Sequence, residues 1–418
     1  MLNKKHPFIM FENRAIFSFL FSGVVSSIGS WIYIVGMTAL VYKEMGVLGV
    51  AFFGLLRQST YLFFSPVAGY LVDNFSRRKL LLLGLTGNIG SMIFLTLLVK
   101  NETDSIYLYS LIILTMVFTA SIDYPARLAV APRLVEDGKL LVLNSNSFAL
   151  TTLAMMIAPV ISSAIMSKNS LSILFSLNII IYLTSLLLTF FIPRSVDRGI
   201  VNKVIISSEK KYVSTIFRNW KNGFIFIKDH KKVLNANVFL FFNHIVVGSV
   251  FVFIPVLSEN LEQGDLGIGY LIAINGAGCV IGTLLSSYAS EKSWENIINL
   301  SAIGLGVTTI LIPFSLSIIG CYLLVLFIGF FSMLGEAPLM TTIQKHIPDE
   351  EAGRIYAAVD SIIIGSMGIG SIFIGWLIVH TPFKLAFILI GIIPFIPVIM
   401  NVISRRIERN NIPVKVKI

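Results

Sequence analysis

Charge is scarce in this chain. Asp, Glu, Lys and Arg supply 13% of its 418 residues and hydrophobic residues 56%, which leaves too little polar surface to clothe one or two water-soluble domains of that length. Cysteine is rarer still. Cys279 and Cys321 both lie in apolar runs without metal-ligand spacing, which excludes a disulfide framework and a zinc site, and neither metal nor cofactor is expected. No phosphate loop of the form GxxxxGKS or GxxxxGKT occurs, so the chain should not hydrolyse nucleotide, and any work it does must draw on a gradient. Paired aspartates or other clustered catalytic groups of a polytopic membrane enzyme are not evident either, so an enzyme is not expected. A cleavable signal is also missing, because Lys4, Lys5 and Arg14 precede an apolar run too long for a signal core. Without organelle-targeting features, the expected location is a cell membrane.

What is abundant is the long hydrophobic run. A span needs about 20 apolar residues, and such runs fall at 15–42, 48–73, 79–99, 105–127, 140–166, 170–192, 233–257, 267–289, 294–314, 318–343, 353–379 and 383–404. Twelve spans place both termini on one side, and Lys and Arg choose it. With the N-terminus inside, 27 of the 32 lie in inside segments, four outside (Lys43, Lys100, Lys168, Lys384), and Arg57 lies within a span. Both termini are therefore expected in the cytoplasm. The net charge of +10 then follows membrane topology, and nucleic acid is not an expected partner.

Residues 193–232 form the long polar linker, dividing the chain into an N-terminal half, 1–192, and a C-terminal half, 233–418. Within the linker, Val213, Phe217, Trp220, Phe224 and Ile227 recur at helical spacing, with Lys210, Lys211, Arg218, Lys221 and Lys228 as a basic face. This suits an amphipathic helix lying on membrane lipid, or else a solvated charged loop. The halves repeat at one offset of 213 residues: Asp123-Tyr124-Pro125 falls on Glu336-Ala337-Pro338, and Gly69 on Gly282, whereas Asp73, Arg77 and Arg78 fall on Ser286, Ser290 and Glu291. Repeated six-span halves are a transporter signature and argue against a receptor or scaffold. They place a small-molecule site at the interface of the halves near the bilayer midplane.

The stretch from Gly69 to Lys79, GYLVDNFSRRK, ends the second span in an acid and a triple-basic turn. Gly69 permits close helix approach, and Arg77, Arg78 and Lys79 suit a phosphate-rich inner surface. Together with twelve spans and the repeat, this turn resembles the major facilitator superfamily, whose pattern is roughly GxLxDRxGRRK. Gly69, Leu71, Asp73, Arg77, Arg78 and Lys79 match, while Asn74 and Ser76 stand where Arg and Gly are usual. The PAR element Pro125 to Arg127, the loop APRLVEDGKLLVLNSN and the segment IPDEEAGR look like the branch of macrolide-efflux and enterobactin-type siderophore exporters. The overall texture is similar to staphylococcal siderophore (staphyloferrin) exporters.

The resemblance implies an all-α membrane protein of twelve transmembrane helices in two pseudo-symmetric six-helix halves, often a monomer. It also implies a secondary transporter that exports a polar metabolite by proton antiport: a carboxylate-type siderophore, or alternatively macrolide-like and other drugs. In such proteins the acid matching Asp73 caps the eleventh span near Gly353 to Tyr356, and the arginine matching Arg77 pairs with an acid on span four, for which Asp123 is the candidate. The basic turn could instead serve orientation alone. Two departures stand out. The GPxxGG element of proton antiporters is here Ala158 to Ser163, APVISS, and no arginine lies between Tyr107 and Ile122 of span four.

Charges inside lipid cost roughly 2.5–3.5 kcal/mol at a helix centre, so each is a functional candidate. Glu336 and Asp360 could carry a proton, because burial favours the neutral form of a carboxyl; Glu336 could equally be a gate or structural acid like its repeat partner Asp123. His244 could sense protons or be a hydrogen-bonded packing residue. Arg57, beside Gln58, could hold a carboxylate of the substrate bidentately, pair with an acid, or extend outward to water. Asn243, beside His244, joins these two as a substrate-binding candidate. Trp31, Tyr33, Tyr61, Phe241 and Phe242 could line a cavity, though most such aromatics pack or face lipid. Gly365, Gly368, Gly370 and Gly375 on span eleven should permit close helix contact.

Overall fold

In lipid, backbone polar groups must be satisfied within their own segment, so apolar runs of span length fold as helices. The computed structural model describes residues 13–103, 105–136, 139–168, 170–197, 209–286, 294–348 and 351–410. It is all-helical, 91% helix, with no strand among the described residues. The helices are α1 (Arg14–Asn74), α2 (Arg77–Lys100), α3 (Ile106–Val130), α4 (Leu140–Met166), α5 (Leu171–Phe190), α6 (Glu209–Asp229) and α7 (Lys231–Asn260), followed by α8 (Gly264–Ser286), α9 (Trp294–Leu311), α10 (Ile318–Leu334), α11 (Glu336–His346), α12 (Ala352–His380), α13 (Phe383–Ile392) and α14 (Phe395–Asn410). Among the described residues these form 11 helical stretches long and apolar enough to cross a membrane, α10 and α11 together making one and α13 and α14 another. The first of them is two crossings. Gly46 interrupts α1 with a φ of 66°, a left-handed conformation that glycine adopts without strain. Divided there, α1 supplies the first two of the twelve spans.

The chain falls into two compact units, Met1–Glu209 with Phe253–Ala273, and Lys210–Val252 with Ile274–Ile418. In the first unit, the arm of α1 before Gly46 is fastened along α5. Ser185 Oγ donates to the Ser22 carbonyl at 2.8 Å, and Asn178 Nδ2 to that of Gly29 at 3.0 Å. Buried Leu20, Ala126, Val130 and Leu143 close one end of this unit. The APVISS segment of α4 is closely packed although it lacks glycine, because the glycine stands on the opposing helix: a Cβ at Gly269 would lie 1.8 Å from Ser163 Oγ and 2.2 Å from the Pro159 carbonyl oxygen.

In the second unit, α12 lies directly on α7. A Cβ at Gly370 would be 1.9 Å from the Ile245 carbonyl oxygen, and one at Gly248 2.0 Å from that of Met367. Two hydroxyls bridge the seam, Ser371 Oγ to the Gly248 carbonyl at 2.9 Å and Ser249 Oγ to that of Gly370 at 3.2 Å. Gly365 meets nothing within 4 Å, so close contact is the role of Gly370 and not of every glycine on this helix. Gly282, the repeat partner of Gly69, brings α8 against α10, 2.2 Å from the Phe330 carbonyl oxygen by the same construction. Small residues at helix seams give this packing in place of a hydrophobic drive that lipid cannot supply.

The linker helix α6 packs part of its apolar face on the second unit. Phe224, Phe226 and Ile227 pack into the second unit's core with Val233, Phe239, Leu339 and Ile343, and Trp220 Nε1 donates to Ser361 Oγ at 2.7 Å. Ile227 is buried there and the three aromatics are partly covered, the protein offering the indole a hydrogen-bond acceptor as well as packing partners. The side chains of Lys210, Lys211, Val213 and Phe217 lie outside the described residues.

Candidate functional site

Asp123 sits on α3 two residues before Pro125, whose ring nitrogen cannot donate to the Ser121 carbonyl. Its carboxylate takes Arg127 Nε at 2.8 Å, one helical turn on. Arg127 Nη1 reaches across to α1, 3.1 Å from Ser22 Oγ and 3.4 Å from the Phe19 carbonyl. This corrects the expectation that Arg77 would hold Asp123. An arginine at i+4 is already within reach on the same face, and Arg77 instead donates through Nη1 to the Ala129 carbonyl at 3.1 Å.

The basic turn is organised by an acid that sequence reading missed. Asp197, in a short helical turn after α5, accepts from Ser76 Oγ at 2.5 Å and from the Arg77 backbone N–H at 2.8 Å. A carboxylate at the first turn of α2 satisfies amides that the helix itself leaves unpaired and complements its dipole. Ser76, where the family pattern has glycine, is the N-cap and accepts from the Lys79 N–H. Arg78 donates to the Phe190 carbonyl at 2.8 Å and lies 5.7 Å from the centre of that ring. Gly69 and Asp73 fall in the last turns of α1, and their surroundings lie outside the described residues.

In the second unit, two of the three proton candidates come together. His244 on α7 presents Nε2 to Glu336 Oε2 at 3.4 Å, the histidine side chain 6% exposed and the glutamate 26%. His244 Nδ1 lies 2.9 Å from the Leu240 carbonyl, an acceptor that fixes the proton on Nδ1. The Nε2 contact is then favourable in two ways: an imidazolium facing a carboxylate, or a neutral imidazole accepting from a carboxylic acid. Either arrangement holds one proton between the two groups. Glu336 is placed there by a break in the helix. Pro338 cannot donate to the Leu334 carbonyl, and the chain turns at Gly335 between α10 and α11. Cys279 and Ser332 lie alongside, sulfur to hydroxyl 3.9 Å apart, with Glu336 within electrostatic reach of the thiol. Asp360 stands on α12 as an exposed residue, next to the Ser361 that receives Trp220, and is not part of this pair. Asn243 is buried, and its Oδ1 has no hydrogen-bond partner among the described residues. Its neighbours Phe241 and Phe242 meet edge to face.

Arg57 and Gln58 are half-buried in the first unit, with Tyr33 within electrostatic reach of the guanidinium. Tyr33 packs edge-on against Phe53, ring centres 6.4 Å apart, and Phe53 precedes Arg57 by one turn. Tyr182 is fully buried with its hydroxyl 3.4 Å from Ser30 Oγ.

Eleven apolar helical stretches long enough to cross a membrane among the described residues, with an Asp123–Arg127 ion pair in the first unit and a His244–Glu336 contact in the second, mark a polytopic membrane protein. The chain belongs to the Major Facilitator Superfamily, whose family model matches residues 19–365. It is similar to BacE of Bacillus subtilis (strain 168), named as a bacilysin exporter, with 27% identity over 323 residues covering 76% of this chain and 77% of BacE. The MFS-type transporter YfiS of the same strain is 23% identical over 419 residues, 96% of each chain. Among solved structures, a POT family transporter in complex with 5-aminolevulinic acid superposes with a TM-score of 0.76 at 14% identity, covering 94% of this chain and 96% of that one. The nucleoside transporter NupG gives 0.71 at 12%, covering 94% and 99%. At such identity these two share the fold. Family and fold together make this a transporter and not an enzyme.

Proposed function

We propose that this protein exports a polar, carboxylate-bearing small metabolite from the cytoplasm across the cell membrane in exchange for protons, as a monomer with both termini inside. Residues 1–192 and 233–418 are its two moving halves and 193–232 their tether. The reading is supported above all by one contact, the 3.4 Å approach of His244 Nε2 to Glu336 Oε2. A pair that is favourable with one shared proton and repulsive with none changes its preferred geometry as that proton arrives and leaves. Since the two groups belong to α7 and α11, titration shifts one helix against the other. Asp360 is a second carboxyl that can take part. Arg57, Gln58 and Asn243 are the groups proposed to meet the substrate, and Gly69, Asp73, Arg77, Arg78 and Asp123 form the inner gate, with Arg127 and Asp197 holding it in place.

A carboxylate siderophore is the first substrate to test, on the motif resemblance, and bacilysin the second, on the likeness to BacE. Siderophore in the medium and cytoplasm of iron-starved cells, with and without the gene, decides the first: loss outside with accumulation inside is expected. Glu336→Gln and His244→Gln proteins should reach the membrane yet fail to move substrate against its gradient in proteoliposomes with an imposed pH difference. Uphill transport by both variants would remove the pair from coupling. Unchanged secretion of both compounds without the gene would leave macrolide efflux as the substrate class to measure.

A further inference from the structure

We infer that the tip of the α7–α8 hairpin, Phe253–Ala273, is the outer gate of the transporter, latched by a hydrogen bond from the Tyr42 hydroxyl to the Glu259 carboxylate; this rests on the transport reading above. The hairpin is divided between the two units. Its residues up to Val252 and from Ile274 belong to the second, whereas Phe253–Ala273 belongs to the first. Stem and tip are fastened to different partners. In the stem, Ser249 Oγ donates to the Gly370 carbonyl at 3.2 Å and Asn275 Nδ2 to that of Val325 at 3.2 Å. In the tip, Glu259 accepts from Tyr42 on the first arm of α1, and Gly269 meets α4 with no room for a Cβ beside Ser163. Since the first span starts inside, Tyr42 marks its outer end. The change of partner in α7 falls within a turn of Pro255, which cannot donate to the Phe251 carbonyl and is a common point of bending.

The tip is built as one piece. Ser258 Oγ donates to the Gly264 carbonyl at 2.5 Å and the Gln263 N–H to the Ser258 carbonyl at 2.9 Å, closing the turn between the two helices. Its two attachments to the first unit differ in kind. At the α4 seam Ser163 is fully buried and its Oγ has no hydrogen-bond partner among the described residues, so the surfaces part without breaking a bond at that hydroxyl. The α7–α12 seam, by contrast, is bridged twice. The hydrogen-bonded attachment of the tip is at Tyr42, whose neighbour Lys43 is taken by Glu44 at 3.9 Å. A phenol donating to a carboxylate is stronger than a neutral pair, yet its net worth is small enough to be overcome in every cycle.

The test uses the purified full-length protein in lipid nanodiscs, with Cys279→Ser and Cys321→Ser as background and Ser163→Cys as a reporter of the α4 seam. The rate of modification by methanethiosulfonate ethyltrimethylammonium is read by mass spectrometry. Tyr42→Phe keeps the ring, removes the donor, and should speed labelling about threefold to tenfold, the worth of one hydrogen bond. Glu259→Ala should do the same, and the double variant should be no faster than either alone. Glu259→Gln retains an acceptor and should fall between. A Ser185→Cys reporter, buried in the α1–α5 seam, should be unmoved, since general loosening would expose both. Unchanged labelling of Ser163→Cys in Tyr42→Phe, additive effects of the two changes, or equal acceleration at Ser185→Cys overturns the latch. Secretion separates it from the transport reading. If cells without the gene retain substrate while labelling ignores Tyr42, the latch fails and export stands. If labelling follows Tyr42 while secretion never depended on the gene, the latched tip stands and export fails alone.

Discussion

Replacing Gly370 with alanine should loosen α12 from α7, the helix that carries His244. The added methyl would stand 1.9 Å from the Ile245 carbonyl oxygen and 2.7 Å from its carbon. Both are backbone atoms and cannot rotate away, so one helix must retreat by about 1 Å or more, an overpacking cost of about 1–3 kcal/mol. The same retreat stretches the two hydroxyl bridges at 2.9 and 3.2 Å, each contributing about 0.5–1.5 kcal/mol. Alanine returns about 1 kcal/mol of helix propensity, leaving a net loss of roughly 1–5 kcal/mol. Gly365, on the same helix with nothing within 4 Å, is the control: Gly365→Ala should be neutral or stabilising by up to about 1 kcal/mol. Both variants can be unfolded in one detergent by sodium dodecyl sulfate titration, followed by tryptophan fluorescence. Equal midpoints for Gly370→Ala and wild type, or a larger loss for Gly365→Ala, would refute the seam.

Asp197→Ala should cost about 0.5–2 kcal/mol through loss of the α2 cap, and Asp197→Asn less, because one acceptor for the Arg77 N–H remains; the same titration reads both. Arg127→Met strips the cation from Asp123, whose side chain is 29% exposed against 13% for Arg127, and should cost about 1–3 kcal/mol. Adding Asp123→Asn should recover part of that loss, and strictly additive costs in the double-mutant cycle would show that the pair is not coupled.

The helical frame was legible because hydrophobic length is a local property. Even the turn at Gly46 lies in the gap left between the first two apolar runs. The site was legible where its partners share a helix. Arg127 follows Asp123 by four residues, the spacing of helical neighbours, so the ion pair could have been read directly; the family pattern drew attention to Arg77 instead. Ser76 could likewise have been read as an N-cap from its place before the first turn of α2. Asp197 gave no such signal, since an acid in a polar linker reads as solvated until the fold brings it to a helix start. Nor does sequence bring His244 to Glu336, because that contact depends on how α7 packs against the broken helix of α10 and α11. The linker helix was readable as amphipathic, but amphipathicity says that one face is covered and not whether lipid or protein covers it.

The internal repeat places an acid in each half, and only the first has a permanent cation one turn on. Both halves carry an acid two residues before a proline, Asp123 and Glu336, and both prolines deprive the preceding turn of a hydrogen bond. In the first half the helix runs unbroken through Val130, and Arg127 stands four residues on, so the acid is neutralised within its own helix. In the second half the matching positions are Gly335 and Met340. The helix breaks at Gly335, just before the acid, and methionine offers it no charge. The carboxylate must find its partner on another helix, and the position that meets it, His244, is the repeat counterpart of Trp31. A permanent cation at that point would have fixed the pair, as arginine fixes Asp123. An imidazole makes the attraction conditional on a proton, and three differences between the halves, at Gly335, Met340 and His244, separate this contact from the permanent ion pair of Asp123 and Arg127.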